Sequence, residues 1–218
     1  MRSVIRLSSA VDGALPPELL DHGTDPRYPA ALVDAFMAEH SKPGDLVFDP
    51  FAGLGTTLVV AEAVGRRAAG IERDPGRFAY ARSRLRDPSG LVNGDARDAA
   101  DHPAGPVGFS MTSPPYMRRD HPTDPFTGYA TEGRGYGAYL ADVRTVYAHL
   151  ALRMAPGAVA VIEVSNLKHP QQVTPLAWDI AAAVGEVLRF EREVVVDWEP
   201  TYGWGYDHSY CLVFSAPP

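Results

Sequence analysis

The chain has 218 residues, 45% hydrophobic and 22% charged, enough for a single domain with a real core. A net charge of −7 argues against holding nucleic acid by broad electrostatics, which needs clustered Lys and Arg, although a local basic patch stays open. The single cysteine, Cys211, excludes an intramolecular disulfide and any multi-cysteine zinc site. In the apolar run SYCLVF it reads as a buried thiol, which fits a reducing cytoplasm.

No apolar run approaches the ~20 residues that a membrane crossing needs. The start, MRSVIRLSSAVDG, is interrupted by Arg6 and Asp12 and lacks the apolar stretch of a signal peptide. Residues 1–26, rich in Pro and Gly, are expected to form an irregular lead, and residues 27–218 a single domain. Leu32, Phe36 and Met37 have helical spacing, and Pro43-Gly44 stops that helix. A short strand at Leu46 to Phe48 runs through a glycine loop into a helix from about Thr56 to Val64. A second strand, Ala68 to Glu72, precedes an Arg-rich amphipathic helix; a third ends at Asp95 and a fourth at the prolines of FSMTSPPY. Residues 117–137 read as a loop of unusual length. An amphipathic helix from Ala138 to Met154 is expected to end at Ala155-Pro156-Gly157, before the buried strand AVAVIEVSN. PLAWDIAAAVGEVLRF reads as the last helix, with Trp178 at a core position. EREVVVDWEP and HSYCLVFSA, joined by the turn-rich TYGWGYD, read as an antiparallel hairpin. The pattern predicts an α/β fold, doubly wound, with a mostly parallel sheet and a C-terminal antiparallel hairpin.

Gly53 and Gly55 stand where a strand becomes a helix, and without Cβ atoms they permit positive φ and close approach of a ligand. Glu72 and Asp95 close the next two strands, placing carboxylates where such folds grip ribose hydroxyls and, by the same geometry, an adenine amino group. A dinucleotide fits less well, because GLGTTL has Leu58 where G-x-G-x-x-G has its third glycine. The scattered histidines show no metal-ligand spacing, so no metal is expected.

Asp49-Pro50-Phe51-Ala52-Gly53-Leu54-Gly55-Thr56-Thr57, together with Ser113-Pro114-Pro115-Tyr116, resembles the two signature motifs of the S-adenosylmethionine-dependent DNA amino-methyltransferases that act on N6 of adenine or N4 of cytosine. The segment from Tyr28 and Pro29 to Gly55 resembles that group's cofactor-contacting entry into the glycine loop. The resemblance implies a class I methyltransferase fold and S-adenosyl-L-methionine as cofactor. It assigns the cofactor to Tyr28, Pro29, Asp49, Pro50, Phe51, Gly53, Gly55, Thr56, Thr57, Glu72 and Asp95, and catalysis to Ser113, Pro114, Pro115 and Tyr116. Serine at position 113 points within that group to N4 of cytosine, with N6 of adenine next.

The chemistry explains the prolines. An exocyclic amine is a weak nucleophile because its lone pair is delocalised into the ring, and acceptors on its N–H groups stabilise the charge that develops on nitrogen. Pro114 and Pro115 offer no competing N–H, and Pro115 holds Pro114 extended, so the Pro114 carbonyl becomes a fixed acceptor beside Ser113. Tyr116 supplies a stacking face for a base flipped out of the duplex. The loop contributes Arg118, Arg119, Arg134, His121, Phe126, Tyr129 and Tyr136, a basic and aromatic mixture suited to a strand or a nucleoside, or else a solvated lid. Tyr202, Trp204 and Tyr206 either wall the base pocket or pack on the sheet edge, and His208 reads as structural. The group's additional recognition segment has no counterpart in the chain. DNA is therefore the first acceptor considered, with recognition supplied by a protein partner as one route. RNA or a nucleoside-like metabolite is the alternative, and a non-catalytic subunit of the same fold the third reading.

Overall fold

In the computed structural model, which describes residues 3–102, 105–169, 172–202 and 206–217, the lead is not wholly irregular. Val4–Ser8 form a strand, β1, in which Ile5 and Leu7 turn onto the core while Val4, Arg6 and Ser8 stay exposed. This period of two, with a charged residue between only two inward side chains, is a weak strand signal on its own. Helix α1 (Ala30–His40) buries Leu32, Val33, Phe36 and Met37. Next come β2 (Leu46–Asp49), α2 (Thr56–Ala63) and β3 (Arg67–Glu72). Helix α3 (Pro75–Arg84) starts sharply: the Asp74 carboxylate accepts from Arg77 N–H at 2.8 Å, and Pro75 takes a first-turn position where no N–H is needed. Strands β4 (Leu91–Asn93) and β5 (Val107–Thr112) follow, then α4 (Tyr136–Ala151) and β6 (Met154–Val164). Ala155-Pro156-Gly157 therefore lies inside β6 and does not end the helix, which stops at Ala151. A small hairpin, β7 (Leu167–His169) and β8 (Gln172–Thr174), leads to α5 (Leu176–Val184), and β9 (Arg189–Tyr202) and β10 (Tyr206–Ser215) finish the chain.

The main sheet has eight strands in the order β1-β9-β10-β6-β5-β2-β3-β4. Strands β4, β3, β2, β5 and β6 run parallel, while β10 is antiparallel to both β6 and β9. One face carries α4 and α5, whose Val143, Tyr147, Leu150, Ile180 and Val184 pack on Phe48, Ala160, Ile162 and Phe214. The other carries α1 and part of α2 over Val47, Phe109, Met111, Val161, Val196 and Cys211. Cys211 is fully buried, as its apolar run suggests. Trp178 departs from expectation: it is 45% exposed. The helix ends at Val184, and its buried stripe is Leu176, Ala177, Ile180 and Val184. At about 100° per residue Trp178 is turned well away from that stripe, and it rests against Tyr210 with ring centroids 5.0 Å apart. No helix among the described residues is long and apolar enough to cross a membrane.

Candidate active site

The connections leave β2 on one side towards β3 and resume on the other at β5, so the sheet has its switch point between β2 and β5. Ligands of open α/β sheets bind outside the carboxyl ends of the strands at such a point. The glycine loop sits there. Asp49, 1% exposed, ends β2, and its Oδ1 accepts the Phe51 N–H at 3.0 Å, an Asx turn that starts the loop. Burial pushes its carboxyl up to about 7, against the opposing pull of Thr112, the Phe51 N–H and Thr57. Gly53 and Gly55 both take left-handed conformations, with φ of 54° and 83°. A Cβ on Gly55 would lie 3.0 Å from the Ala81 Cβ on α3. Gly55→Ala is thus expected to destabilise the fold by about 2 kcal/mol, combining left-handed strain with the close contact. Urea unfolding measures it, and an unchanged midpoint would show that the loop relaxes freely.

Glu72 ties this loop to the next strand end. It is 9% exposed, and its two oxygens accept Gly53 N–H and Asp74 N–H, each at 2.7 Å. Burial raises its carboxyl, against those two backbone donors and Arg77. Each carboxylate oxygen has a further lone pair free to accept a ligand hydroxyl. Phe51, Gly53 and Thr56 are the partly exposed members of the loop. Asp49, Pro50, Tyr28 and Thr57 lie beneath it: Tyr28 Oη meets Thr57 Oγ1 at 2.5 Å, and Thr57 Oγ1 donates to the Met111 carbonyl at 3.2 Å. They brace the loop from below. Pro29, buried, is the N-cap of α1. Asp95 falls two residues past β4 and is held by Arg97, at 3.0 Å from Nε and 2.6 Å from Nη2, with Arg73 3.7 Å away. Its carboxyl lies below the usual range even though burial opposes this, because Arg97 and Arg73 favour the anion.

Ser113 to Tyr116 leave β5 directly beside this loop. Three hydroxyls fix the turn. Tyr139 donates to the Pro115 carbonyl at 3.0 Å, Tyr129 donates to the Tyr116 carbonyl at 2.6 Å, and Tyr116 Oη donates to Glu163 Oε2 at 3.1 Å. The Pro114 carbonyl receives no backbone or side-chain donor among the described residues. Sequence reasoning missed Tyr139 and Glu163; the signal for Glu163 was a lone acid inside the apolar run AVAVIEVSN.

The loop after Tyr116 is anchored, not loose. Thr123 and Glu132 form a bridge, and Phe126 is buried, edge-on to Phe51 at 5.7 Å and under the Arg97 guanidinium at 5.3 Å. Arg73 Nη1 donates to the Phe126 carbonyl. Phe126 therefore packs the loop against the partly exposed Phe51 of the glycine loop. The loop's cations are also engaged: Arg119 pairs with Asp179 at 2.9 Å, Arg134 with Asp142 at 2.8 Å and Arg118 with Asp120 at 3.3 Å. Tyr136 opens α4 and donates to Asp179 at 2.8 Å, and His121 packs edge-on to Tyr129. At the hairpin, His208 Nε2 lies 3.1 Å from Tyr210 Oη and Tyr206 begins β10, while Trp204 lies outside the described residues.

Residues 21–83 match the sequence profile of a DNA methylase family that groups N6 and N4 enzymes. The type II methyltransferase M.HinfI of Haemophilus influenzae is 46% identical over 59 residues, 27% of this chain and 16% of that protein. M2.DpnII of Streptococcus pneumoniae is 42% identical over 57 residues, 26% of this chain and 21% of that protein. The matched stretch thus spans about a fifth or less of these relatives. Among solved structures, TrmN from Thermus thermophilus superposes with a TM-score of 0.61 at 16% identity, over 86% of this chain and 48% of that one. The N-methyltransferase NodS from Bradyrhizobium japonicum, in complex with S-adenosyl-L-homocysteine, gives 0.59 at 12% identity, over 87% and 86%. At these identities the structures speak for the fold, and the family rests on the segment that holds Tyr28, the glycine loop and Glu72. Over that segment the chain is similar to the N6/N4 DNA methylases, and its fold is that of methyltransferases of known structure.

Proposed function

We propose that the chain is an S-adenosylmethionine-dependent N-methyltransferase acting on an exocyclic amino group of a nucleobase in DNA, N4 of cytosine before N6 of adenine. The observation that carries this reading is the juxtaposition, at adjacent strand ends, of the Glu72-latched glycine loop and a turn whose Pro114 carbonyl accepts no hydrogen bond from the described residues. The residues fit the cofactor: Glu72 keeps lone pairs for ribose hydroxyls, Gly53 and Gly55 allow close backbone approach, and Phe51 with Phe126 offers an apolar wall. The cofactor supplies a methyl group activated on a sulfonium. The protein's own part is placement. Pro114 O and Ser113 Oγ accept the amine's N–H groups, so the nitrogen lone pair is freed towards the methyl and the growing charge is stabilised. Tyr139 and Tyr129 lock the neighbouring carbonyls, which keeps the Pro114 carbonyl from turning.

A second reading, RNA or a nucleoside-like acceptor, is favoured by the loop arginines, which are spent on Asp179, Asp142 and Asp120 and leave little free cation for a phosphate backbone. A protein partner that supplies the missing positive surface reconciles DNA with the same observation. The deciding experiment is transfer from labelled S-adenosylmethionine to unmethylated plasmid DNA, with digestion to nucleosides and mass spectrometry. The expected product is N4-methylcytosine, reduced at least about tenfold in Ser113→Ala, since one lost transition-state hydrogen bond costs that or more. Unmodified DNA from protein that binds the cofactor would overturn the DNA reading in favour of the second.

A further inference from the structure

Glu163 interrupts the apolar run of β6 and is completely buried, 0% exposed. The register Thr112↔Ile162 puts it beside Ser113, and Cys211 lies opposite it on β10. Among the described residues it forms no ion pair, and its neighbours are the hydroxyls of Ser209, Ser113 and Tyr116 and the Cys211 thiol. Its Oε1 has no hydrogen-bond partner among the described residues. A buried carboxyl without a cation brings no folding advantage over an apolar residue of the same size.

The directions of the hydrogen bonds supply a reason for it. Tyr116 Oη accepts the Ser165 N–H at 3.1 Å and donates its one proton to Glu163 Oε2 at 3.1 Å. Its remaining lone pair meets Ser113 Oγ at 3.4 Å, the longest link of the three. A hydroxyl has one proton, and Ser113 is a pure acceptor for an amine only when that proton points elsewhere. We propose that Glu163 is a positioning residue for methyl transfer: it terminates the chain Ser113 Oγ–H to Tyr116 Oη–H to Glu163 Oε2, which turns the Ser113 proton away from the acceptor nitrogen. This rests on the reading of the Ser113 turn as the amine site. The chain runs one way only, because Ser165 N–H blocks the reverse orientation at Tyr116 and Glu163 supplies the closing acceptor. It works with a neutral acid as well, whose carbonyl oxygen accepts from Tyr116 in the same place.

The test uses the full chain with Glu163→Leu, Glu163→Gln and Tyr116→Phe, each checked for folding by circular dichroism and for cofactor binding by calorimetry. Glu163→Leu is expected to lower kcat about tenfold with the KM for S-adenosylmethionine unchanged, a size typical of one interaction felt mainly in the transition state. Glu163→Gln, which keeps an acceptor oxygen, should recover most of that loss. Tyr116→Phe combined with Glu163→Leu should be no worse than the poorer single variant, because both break one chain. Independently of turnover, the infrared band of the Glu163 carboxyl, identified by its loss in Glu163→Gln, should shift in Tyr116→Phe. Wild-type kcat in Glu163→Leu, losses that multiply in the double variant, or a band that ignores Tyr116→Phe would each overturn the proposal. Should the wild type bind cofactor yet methylate no nucleobase, the amine-site reading fails by itself, and the infrared band alone decides whether the Tyr116–Glu163 link exists.

Discussion

Glu72→Gln is expected to weaken S-adenosylmethionine binding by about a hundredfold, although the side chain keeps its shape. Both carboxylate oxygens are occupied by backbone donors, Gly53 N–H and Asp74 N–H at 2.7 Å each. Glutamine has one oxygen and one NH2, so whichever way the amide turns, a donor faces a donor. One charge-assisted hydrogen bond is lost, about 1.5–3 kcal/mol, and the buried N–H left behind adds a desolvation cost. With the NH2 towards Gly53 the loss falls on the glycine loop, with it towards Asp74 on the turn after β3, and either way one of the two oxygens that would have received the ribose hydroxyls is replaced by a donor. Calorimetric titration of the purified protein measures it. Binding within a fewfold of wild type would mean that the loop holds its shape without Glu72 and that the ribose is gripped elsewhere.

The parts of this architecture that could be read from sequence were those where one physical demand dominates. The parallel strands are buried on both faces, so LVFD and VGFSMT appear as short, mostly apolar runs without polar alternation, and their ends carry the Gly53-Gly55 and Pro114-Pro115 punctuation. Features set by long-range pairing were not legible. Strand β1 owes its existence to β9, nearly two hundred residues later, where Val4 pairs with Val195. Pro156-Gly157 looks like a helix stop but lies near the start of β6, in a break of the β5 register between Met154 and Val159 where Gly157 takes φ of 70°. Trp178 reads as core from its apolar position in the helical run, whereas its angle around α5 relative to Leu176, Ala177, Ile180 and Val184 leaves it exposed. At the site, the glycines, Glu72 and the prolines were evident from local pattern. The partners that orient them, Tyr139 on α4, Tyr129 in the loop and Glu163 on β6, come from three other segments and carry no motif of their own. The loop arginines illustrate the same limit, since Asp179 and Asp142, which neutralise Arg119 and Arg134, lie on helices whose placement the sequence does not reveal.

Asp49→Asn is expected to stabilise the protein at pH 8 and to change it little at pH 4. In the unfolded chain an aspartate ionises near its ordinary value of 3.8, whereas in the folded protein burial holds the carboxyl at about 7. A raised folded value means that the folded state binds the proton more tightly, so the stabilisation it gives is fully present below the unfolded value. It fades as pH rises and is gone above the folded one. At about 1.4 kcal/mol per unit, the wild type stands to lose up to roughly 4 kcal/mol between pH 4 and pH 8 through this one group. Asparagine has no proton to lose, and its Oδ1 can still accept the Phe51 N–H that starts the loop. Glu72 and Glu163, both raised by burial, bend the curve in the same direction, but they are common to both proteins and cancel in the difference. Urea unfolding of the two proteins across this range isolates Asp49. Parallel curves would show that its charge is solvated or paired when the loop is folded. A gap that opens between pH 5 and pH 7 would show that the glycine loop rests on a buried carboxyl whose ionisation the fold resists, so that the cost falls on the wild type only as pH rises towards the folded value.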